Sequence, residues 1–354
     1  MTKIRVLVVD DSALVRRLVT TALSGAADIE VAGVARDGLE AVRMVDELRP
    51  DVVTLDIEMP HLDGLGALTR IRDKHARLPV IMFSTLTERG ATATLDALSR
   101  GASDYVTKPS NTGQIADGIA AVRDQLVPRI RALAGLRKLT PGAGGPIVRR
   151  ERAGRTPPPG PVSALLIGCS TGGPDALARL LPRLPGDLGI PVLVVQHMPP
   201  VFTAMLAQRL DKVSQLSVRE AAEGDEVCPG EVLIAPGDFH LRVRRGAGAV
   251  RVSLDQGPQE NFCRPAVDVM FRSALEVWGG SALATVLTGM GQDGLAGARQ
   301  LAAAGARILV QDEDSSVVWG MPGAVASAGL ADDVLPLEGL ADRIVGTVRR
   351  SHAA

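Results

Sequence analysis

Ser170, His197 and Asp293 each stand just past a short apolar run: ALLIG before the serine, PVLVVQ before the histidine, and ALATVLT ahead of the GMGQD that ends in the aspartate. A hydroxyl becomes an effective nucleophile when a base removes its proton, and an imidazole acts as that base when a carboxylate orients it. If the three runs are strands of one parallel sheet, all three side chains fall at its carboxyl edge, where sites in such folds form. The helical pattern DALARLLPRL after Ser170 would aim its first amide N–H groups at developing negative charge, and the glycines of GMGQDG leave further N–H groups accessible. A phosphate cradle is the weaker use of GCSTGGP. The loop is neither G-x-G-x-x-G nor GK[ST], and the next strand ends in Gln196–His197 instead of an acid for a ribose.

Each residue has competitors. A serine in a glycine loop is most often a helix cap. Among the five histidines, His61 and His75 lie far upstream and His352 in the tail, so His240 is the rival, and it opens a strand (HLRV) instead of ending one. Asp238 and Asp268 compete with Asp293, which the glycine-rich turn favours. Cys169 is a rival nucleophile, but alternation along a strand would turn it away from Ser170, as a packing residue.

A second constellation lies nearer the start. Asp10 and Asp11 end the run IRVLVVD, Asp56 ends VVTLD, Ser84 ends VIMFS, and Lys108, followed by Pro109, ends YVTK. Asp10 or Asp11 could cap the helix beginning near Ser12, yet caps do not explain matched chemistry at four of five strand ends. Three carboxylates in one crevice repel one another unless a hard divalent cation with oxygen ligands, most simply Mg²⁺, sits among them. A carboxylate, a hydroxyl and a lysine around such an ion suit phosphoryl transfer onto a carboxylate.

The elements that must position these groups alternate in βα rhythm. Five apolar runs separated by helical patterns predict a five-stranded parallel sheet covered on both faces over residues 1–127. Residues 128–162 lose the periodicity and contain PGAGGP and TPPPGP; between Arg129 and Arg155 stand eight basic residues against one acid, Glu151. That composition reads as a solvated linker, with a docking surface for an acidic partner as the alternative. From 163 to 350 the alternation resumes with ALLIG, PVLVVQ, VLIAP, HLRV, VRVSL, ALATVLT and RILVQD, with a hairpin-like insert near 240–254. The fold class is therefore α/β, two doubly wound parallel-sheet domains joined by a linker, in a chain whose 354 residues suit two domains. The formal net charge of −1 gives no case for nucleic acid or a membrane surface. No apolar run approaches the roughly 18 residues of a spanning helix, and the acidic pair interrupts anything resembling a signal peptide. The three unclustered cysteines lack zinc-site spacing and suit a reducing cytosol.

Residues 1–127 resemble a two-component receiver domain, flavodoxin-like in fold, matching its acidic pair, phospho-acceptor, hydroxyl and Lys-Pro in order. The resemblance implies that Asp56 accepts the phosphoryl group, that Asp11, Asp56 and the backbone carbonyl of Glu58 hold Mg²⁺ with Asp10 assisting, and that Ser84, Tyr105 and Lys108 form the switch. Residues 163–350 resemble the catalytic domain of the bacterial chemotaxis protein-glutamate methylesterases (the CheB family) through GCSTGGP, QHMP, APGD, RPAVDVMF, LTGMGQDG and QDEDSSVVWGMP. It implies a cytoplasmic, phosphorylation-regulated hydrolase acting on methylated glutamates of chemoreceptors, and on some glutamines, with a histidine kinase as phosphodonor. Ser170, His197 and Asp293 are then the triad, the Met290 N–H holds the oxyanion, and the hydrolase site needs no cofactor. The expected state is a monomer, without nucleic acid or membrane insertion. Cys263, in Asn261–Phe262–Cys263–Arg264, stands where members often carry a basic residue or histidine. A phosphorylation-controlled binding module without catalysis is the alternative, and the intact triad argues against it.

Overall fold

The computed structural model describes residues 3–109, 115–136 and 160–353, and the chain falls into two compact units. In the first, β1 (Ile4–Val9), β2 (Ile29–Ala35), β3 (Val52–Asp56), β4 (Val80–Ser84) and β5 (Asp104–Thr107) alternate with α1 (Ala13–Ser24), α2 (Gly38–Leu48), α3 (Gly64–Lys74), α4 (Glu88–Ser99) and α5 (Ile115–Leu136). The sheet order is β2-β1-β3-β4-β5, every pair parallel. β3 and β4 are buried along their whole length, as expected of strands covered on both faces. The order reverses at β1/β3, which opens a crevice beyond their carboxyl ends. Ser12 caps α1 by accepting from the Val15 N–H, so Asp10 and Asp11 are not spent as caps.

The last helix corrects one expectation. α5 runs through Pro128 to Leu136, so residues 128–136, assigned above to the linker, are helical. Pro128 and the crowd of arginines hide the apolar positions Val127, Ile130, Leu133 and Ala134, all buried. Their spacing continues the inward face of the helix, and this burial outweighs one lost backbone bond. The remainder of the expected linker, through residue 159, lies outside the described residues.

Gly64, at the start of α3, touches the phospho-acceptor strand. A Cβ there would stand 2.0 Å from the Asp56 carbonyl oxygen and 2.9 Å from Ile57 Cα, both backbone. Gly64→Ala is expected to destabilise the first unit by about 1–3 kcal/mol and leave the second untouched. Guanidinium unfolding of the full chain, followed by probes in each unit, checks this.

The second unit contains β6 (Ala164–Cys169), β7 (Val192–Gln196), β8 (Ser217–Glu220), β9 (Glu231–Ile234), β10 (His240–Arg245), β11 (Val250–Asp255), β12 (Ala282–Val286), β13 (Arg307–Gln311) and β14 (Asp333–Leu335). Its helices are α6 (Gly173–Leu180), α7 (Phe202–Asp211), α8 (Val267–Trp278), α9 (Leu295–Ala303), α10 (Met321–Ser327) and α11 (Leu337–Ala353). Seven strands form a wholly parallel sheet in the order β14-β13-β12-β6-β7-β9-β8. β10 and β11 form the expected antiparallel hairpin, apart from the sheet.

The two edge strands, β8 and β14, escape the sequence pattern. SVRE buries one residue fully and DVL none, as befits short, polar sheet edges. By contrast β6 and β12, next to each other at the centre, are buried at every position. The order reverses between them, since the chain proceeds from β6 to β7 on one side and from β12 to β13 on the other. Ser170, His197 and Asp293 all belong to loops at that switch point.

Candidate active site and phospho-acceptor site

Register places the serine and the histidine together. Cys169 of β6 and Gln196 of β7 are cross-strand partners, and Ser170 and His197 each follow one residue later. The serine turn is fixed by its backbone: Ser170 N–H donates to the Thr288 carbonyl at 3.0 Å, and its own carbonyl accepts from Gly173 N–H at 2.8 Å and Gln196 Nε2 at 3.0 Å. Gly172 takes φ +78, and a Cβ there would press on Val317 at 2.6 Å, so this turn requires glycine. Met290 lies beside the serine: its neighbour Gly289 would bring a Cβ within 3.0 Å of Ser170 Cβ. Among the described residues the Met290 N–H has no acceptor, which leaves it free for an oxyanion.

His197 Nε2 pairs with Asp293 Oδ2 at 2.7 Å. Asp293 is buried and held from every side. Val267 N–H at 2.6 Å also reaches Oδ2, while Asp268 N–H at 3.0 Å, Gly294 N–H at 2.9 Å and Asn261 Nδ2 at 3.0 Å reach Oδ1. Two of these donors open α8, whose dipole adds to the stabilisation of a negative charge. Burial alone would raise the Asp293 carboxyl; the hydrogen bond and charge of His197 and the backbone donors hold it below its usual range. For His197 burial works toward a lower pKa, and the Asp293 contact, with Cys263 adding to it, overrides burial and raises it.

The carboxylate keeps a proton on Nε2, so Nδ1 is the nitrogen that can act as base. In this structure Nδ1 lies 3.5 Å from Cys263 Sγ, and among the described residues Ser170 Oγ makes no hydrogen bond to it. Looseness of this kind is common in catalytic pairs before substrate binds.

The competitors find structural employment. Cys169 is buried with its thiol 3.7 Å from the Val195 carbonyl, and burial pushes that thiol far up. His240 bridges the Pro258 carbonyl and the Ala266 N–H. Asp238 pairs with Arg264 at 2.6 Å, and Asp268 accepts from Gly297 N–H at 2.6 Å. Sequence reasoning missed Asn261, whose amide donates to both Asp293 and Asp268. It also missed the side chain of Gln196, which ties Ser170 to His197 through their carbonyls.

Of the three cysteines, Cys263 alone faces a basic nitrogen. The Cys228 thiol is raised by desolvation and then by Glu226 and Glu231. Iodoacetamide is therefore expected to alkylate Cys263 first, and to block His197 as it does so. Peptide mapping against residual hydrolase activity measures both.

In the first unit Asp10, Asp11 and Asp56 offer carboxylate oxygens within 4.8 Å of one another. Lys108 Nζ stands 2.9 Å from Asp10 Oδ2 and 2.8 Å from Asp56 Oδ1. One ammonium does not offset two buried carboxylates. Burial first, and then the charge of Asp10, pushes Asp56 up to about 6, and burial raises Asp10 as well. Three clustered carboxylates against a single ammonium fit a hard cation with oxygen ligands. Ser84 Oγ donates to the Gly90 carbonyl of α4 at 3.1 Å. The Tyr105 ring is buried, and burial followed by the charge of Asp104 pushes its phenol up. The Glu58 side chain turns outward to Arg89, leaving only its backbone for the crevice.

Comparison with known proteins matches residues 165–344 to the CheB methylesterase family and residues 6–120 to the response regulator receiver domain. A protein-glutamate methylesterase/protein-glutamine glutaminase of a Nocardioides species is 52% identical over 99% of this chain and 97% of its own. The chain belongs to the CheB methylesterase family. Another CheB relative of the same description, from Trichodesmium erythraeum, is 47% identical over 98% of this chain and 99% of its own. The crystal structure of the Thermotoga maritima CheB methylesterase catalytic domain superposes with a TM-score of 0.51 at 44% identity, covering 52% of this chain and 97% of that one. In this chain the receiver domain precedes the esterase domain. Among the described residues no helix is long and apolar enough to cross a membrane.

Proposed function

We propose that this chain is a phosphorylation-regulated serine hydrolase that cleaves glutamate methyl esters on chemoreceptors, and deamidates selected glutamines, for adaptation in bacterial chemotaxis. The observation that carries the reading is the pairing of buried Asp293 with His197 at the switch point of a parallel sheet, with Ser170 beside His197 on the neighbouring strand end. His197 Nδ1 takes the Ser170 proton as the oxygen attacks the ester carbonyl. The Met290 N–H holds the oxyanion, and the imidazolium returns its proton to departing methanol. Water, deprotonated by the same nitrogen, then cleaves the acyl-serine and leaves a free glutamate. With an amide in place of the ester, ammonia departs instead.

Control comes from the receiver. Asp11, Asp56 and the Glu58 carbonyl would hold Mg²⁺, with Asp10 assisting, and the ion would supply positive charge opposite an incoming phosphoryl group. Asp56 accepts that group from a histidine kinase, Lys108 pairs with it, and Ser84 and Tyr105 carry the change outward. Phosphorylation shifts the population of the receiver toward a state in which the hydrolase turns over faster. The chain works in the cytoplasm as a monomer, facing the receptors' cytoplasmic helices, with no role for nucleic acid.

The test is methanol release from methylated receptor fragments by the full chain, with and without acetyl phosphate and Mg²⁺. Release that rises with phosphodonor is expected. Absence of release under both conditions would overturn the reading.

A further inference from the structure

Phe262 is an anomaly, since every other aromatic of the chain is buried or half-buried. Of five phenylalanines, Phe83, Phe202 and Phe271 lie in the cores, whereas Phe262 is 97% exposed. Its backbone is strained too. Asn261 and Phe262 take φ +52 and +62 in succession, a pairing that two-residue turns ordinarily give to Asn-Gly. A bulky side chain in that region is a true outlier, and strain of this sort persists where surrounding structure enforces it, commonly at functional sites.

Here the surroundings are the catalytic groups themselves. The turn is closed by Cys263 N–H to the Glu260 carbonyl at 2.9 Å and Glu260 N–H to the Cys263 carbonyl at 3.1 Å. On one side of Phe262, Asn261 donates to Asp293; on the other, Cys263 Sγ contacts His197 Nδ1. Glu260 and Arg264 anchor the base through Arg272 and Asp238. The ring is thus the one member of Asn261–Cys263 with no contact to the catalytic pair, and its neighbours fix it at the rim of the serine crevice. Glycine at 262 would relieve the strain, yet a phenyl group is held there, exposed to solvent.

We infer that Phe262 is a specificity-determining residue that packs on apolar side chains one helical turn from the scissile glutamyl ester. This rests on the proposed methylesterase reading and deepens it. On a helix the neighbours of a modified residue are at i±3 and i±4, so an aromatic at the crevice rim meets them once the ester enters. A small ester offers no such surface. Phe262 therefore discriminates helix-borne esters from free ones.

The test compares kcat/KM of the full chain on a helical methylated receptor fragment and on N-acetylglutamate γ-methyl ester amide. Phe262→Ala is expected to lower the receptor-to-small-ester ratio about tenfold or more, and Phe262→Trp to retain most of it. Phe262→Gly is expected to raise the denaturant midpoint while losing the ratio as Ala does, which separates strain from contact. A ratio unchanged in Ala and Gly would overturn the inference, as would an equal rise on both substrates. If wild type hydrolyses neither ester, the methylesterase reading itself has failed.

Discussion

Ser170→Ala is expected to lower methanol release by about 10⁶-fold, and Asp293→Asn by about 10³–10⁴-fold, although the second keeps almost every atom in place. The reason lies in how many donors each Asp293 oxygen serves. Oδ1 accepts three N–H groups, from Asn261, Asp268 and Gly294; Oδ2 accepts two, from His197 and Val267. An asparagine amide would turn its NH₂ to the site with fewer donors, toward His197. Nε2 must then accept instead of donate, the proton moves to Nδ1, and the nitrogen that should deprotonate Ser170 loses its lone pair. The buried Val267 N–H is left facing a donor, which costs about 1–3 kcal/mol of stability. Turnover falls far more than that stability loss accounts for. The acid limb of the kcat/KM profile supplies a second readout. His197 must be neutral to act as base, and its pKa is raised by the Asp293 contact over the opposing effect of burial. In wild type that limb therefore lies above the ordinary histidine value of about 6.5, and in Asp293→Asn the residual activity has its limb shifted to lower pH. A limb unmoved by the substitution would mean that another group titrates there.

The placement of Ser170, His197 and Asp293 at one sheet edge was legible because parallel strands announce themselves. ALLIG, PVLVVQ and ALATVLT are buried at almost every position, so each reads as a continuous apolar run, and the polar residue after each falls at a predictable edge. Asn261 was not legible in that way. Its partner Asp293 lies 32 residues on, and an asparagine in an irregular turn carries no periodicity that would point there. Edge strands β8 and β14 were lost for the opposite reason, since they bury too little to leave a pattern. Pro128 shows how a local rule is overridden: a proline inside an arginine-rich stretch signals a break, yet four buried apolar residues carry α5 through it. Composition decided that boundary wrongly; the inward spacing of Val127, Ile130 and Leu133 held the better signal.

Asp56→Asn is expected to abolish stimulation by phosphodonor while making the receiver more stable, and the pairing of these effects discriminates a phospho-acceptor from a structural carboxylate. Coupling between a switch and a remote site is commonly about 5- to 150-fold, so wild type should gain within that range from acetyl phosphate with Mg²⁺, and Asp56→Asn not at all. The stability effect follows from linkage. Burial and Asp10 raise Asp56 to about 6, above the unfolded value of about 3.9. A carboxyl whose folded pKa is raised favours the protonated native state, so its ionisation destabilises the fold progressively as pH climbs from the unfolded toward the folded value, and fully above it. Asparagine mimics the protonated form and escapes this cost. At pH 8 without Mg²⁺ the substitution should therefore stabilise the receiver by about 1–3 kcal/mol, partly offset because Lys108 keeps only Asp10 as partner. At pH 4 the gain should vanish. Mg²⁺ should narrow it from the other direction, by stabilising wild type and not the variant. Denaturant unfolding of the full chain at the two pH values, with and without Mg²⁺, measures all four arms. A structural ion pair at Asp56 would give the reverse sign at pH 8, because removing it would unbalance Lys108 more than it relieved Asp10.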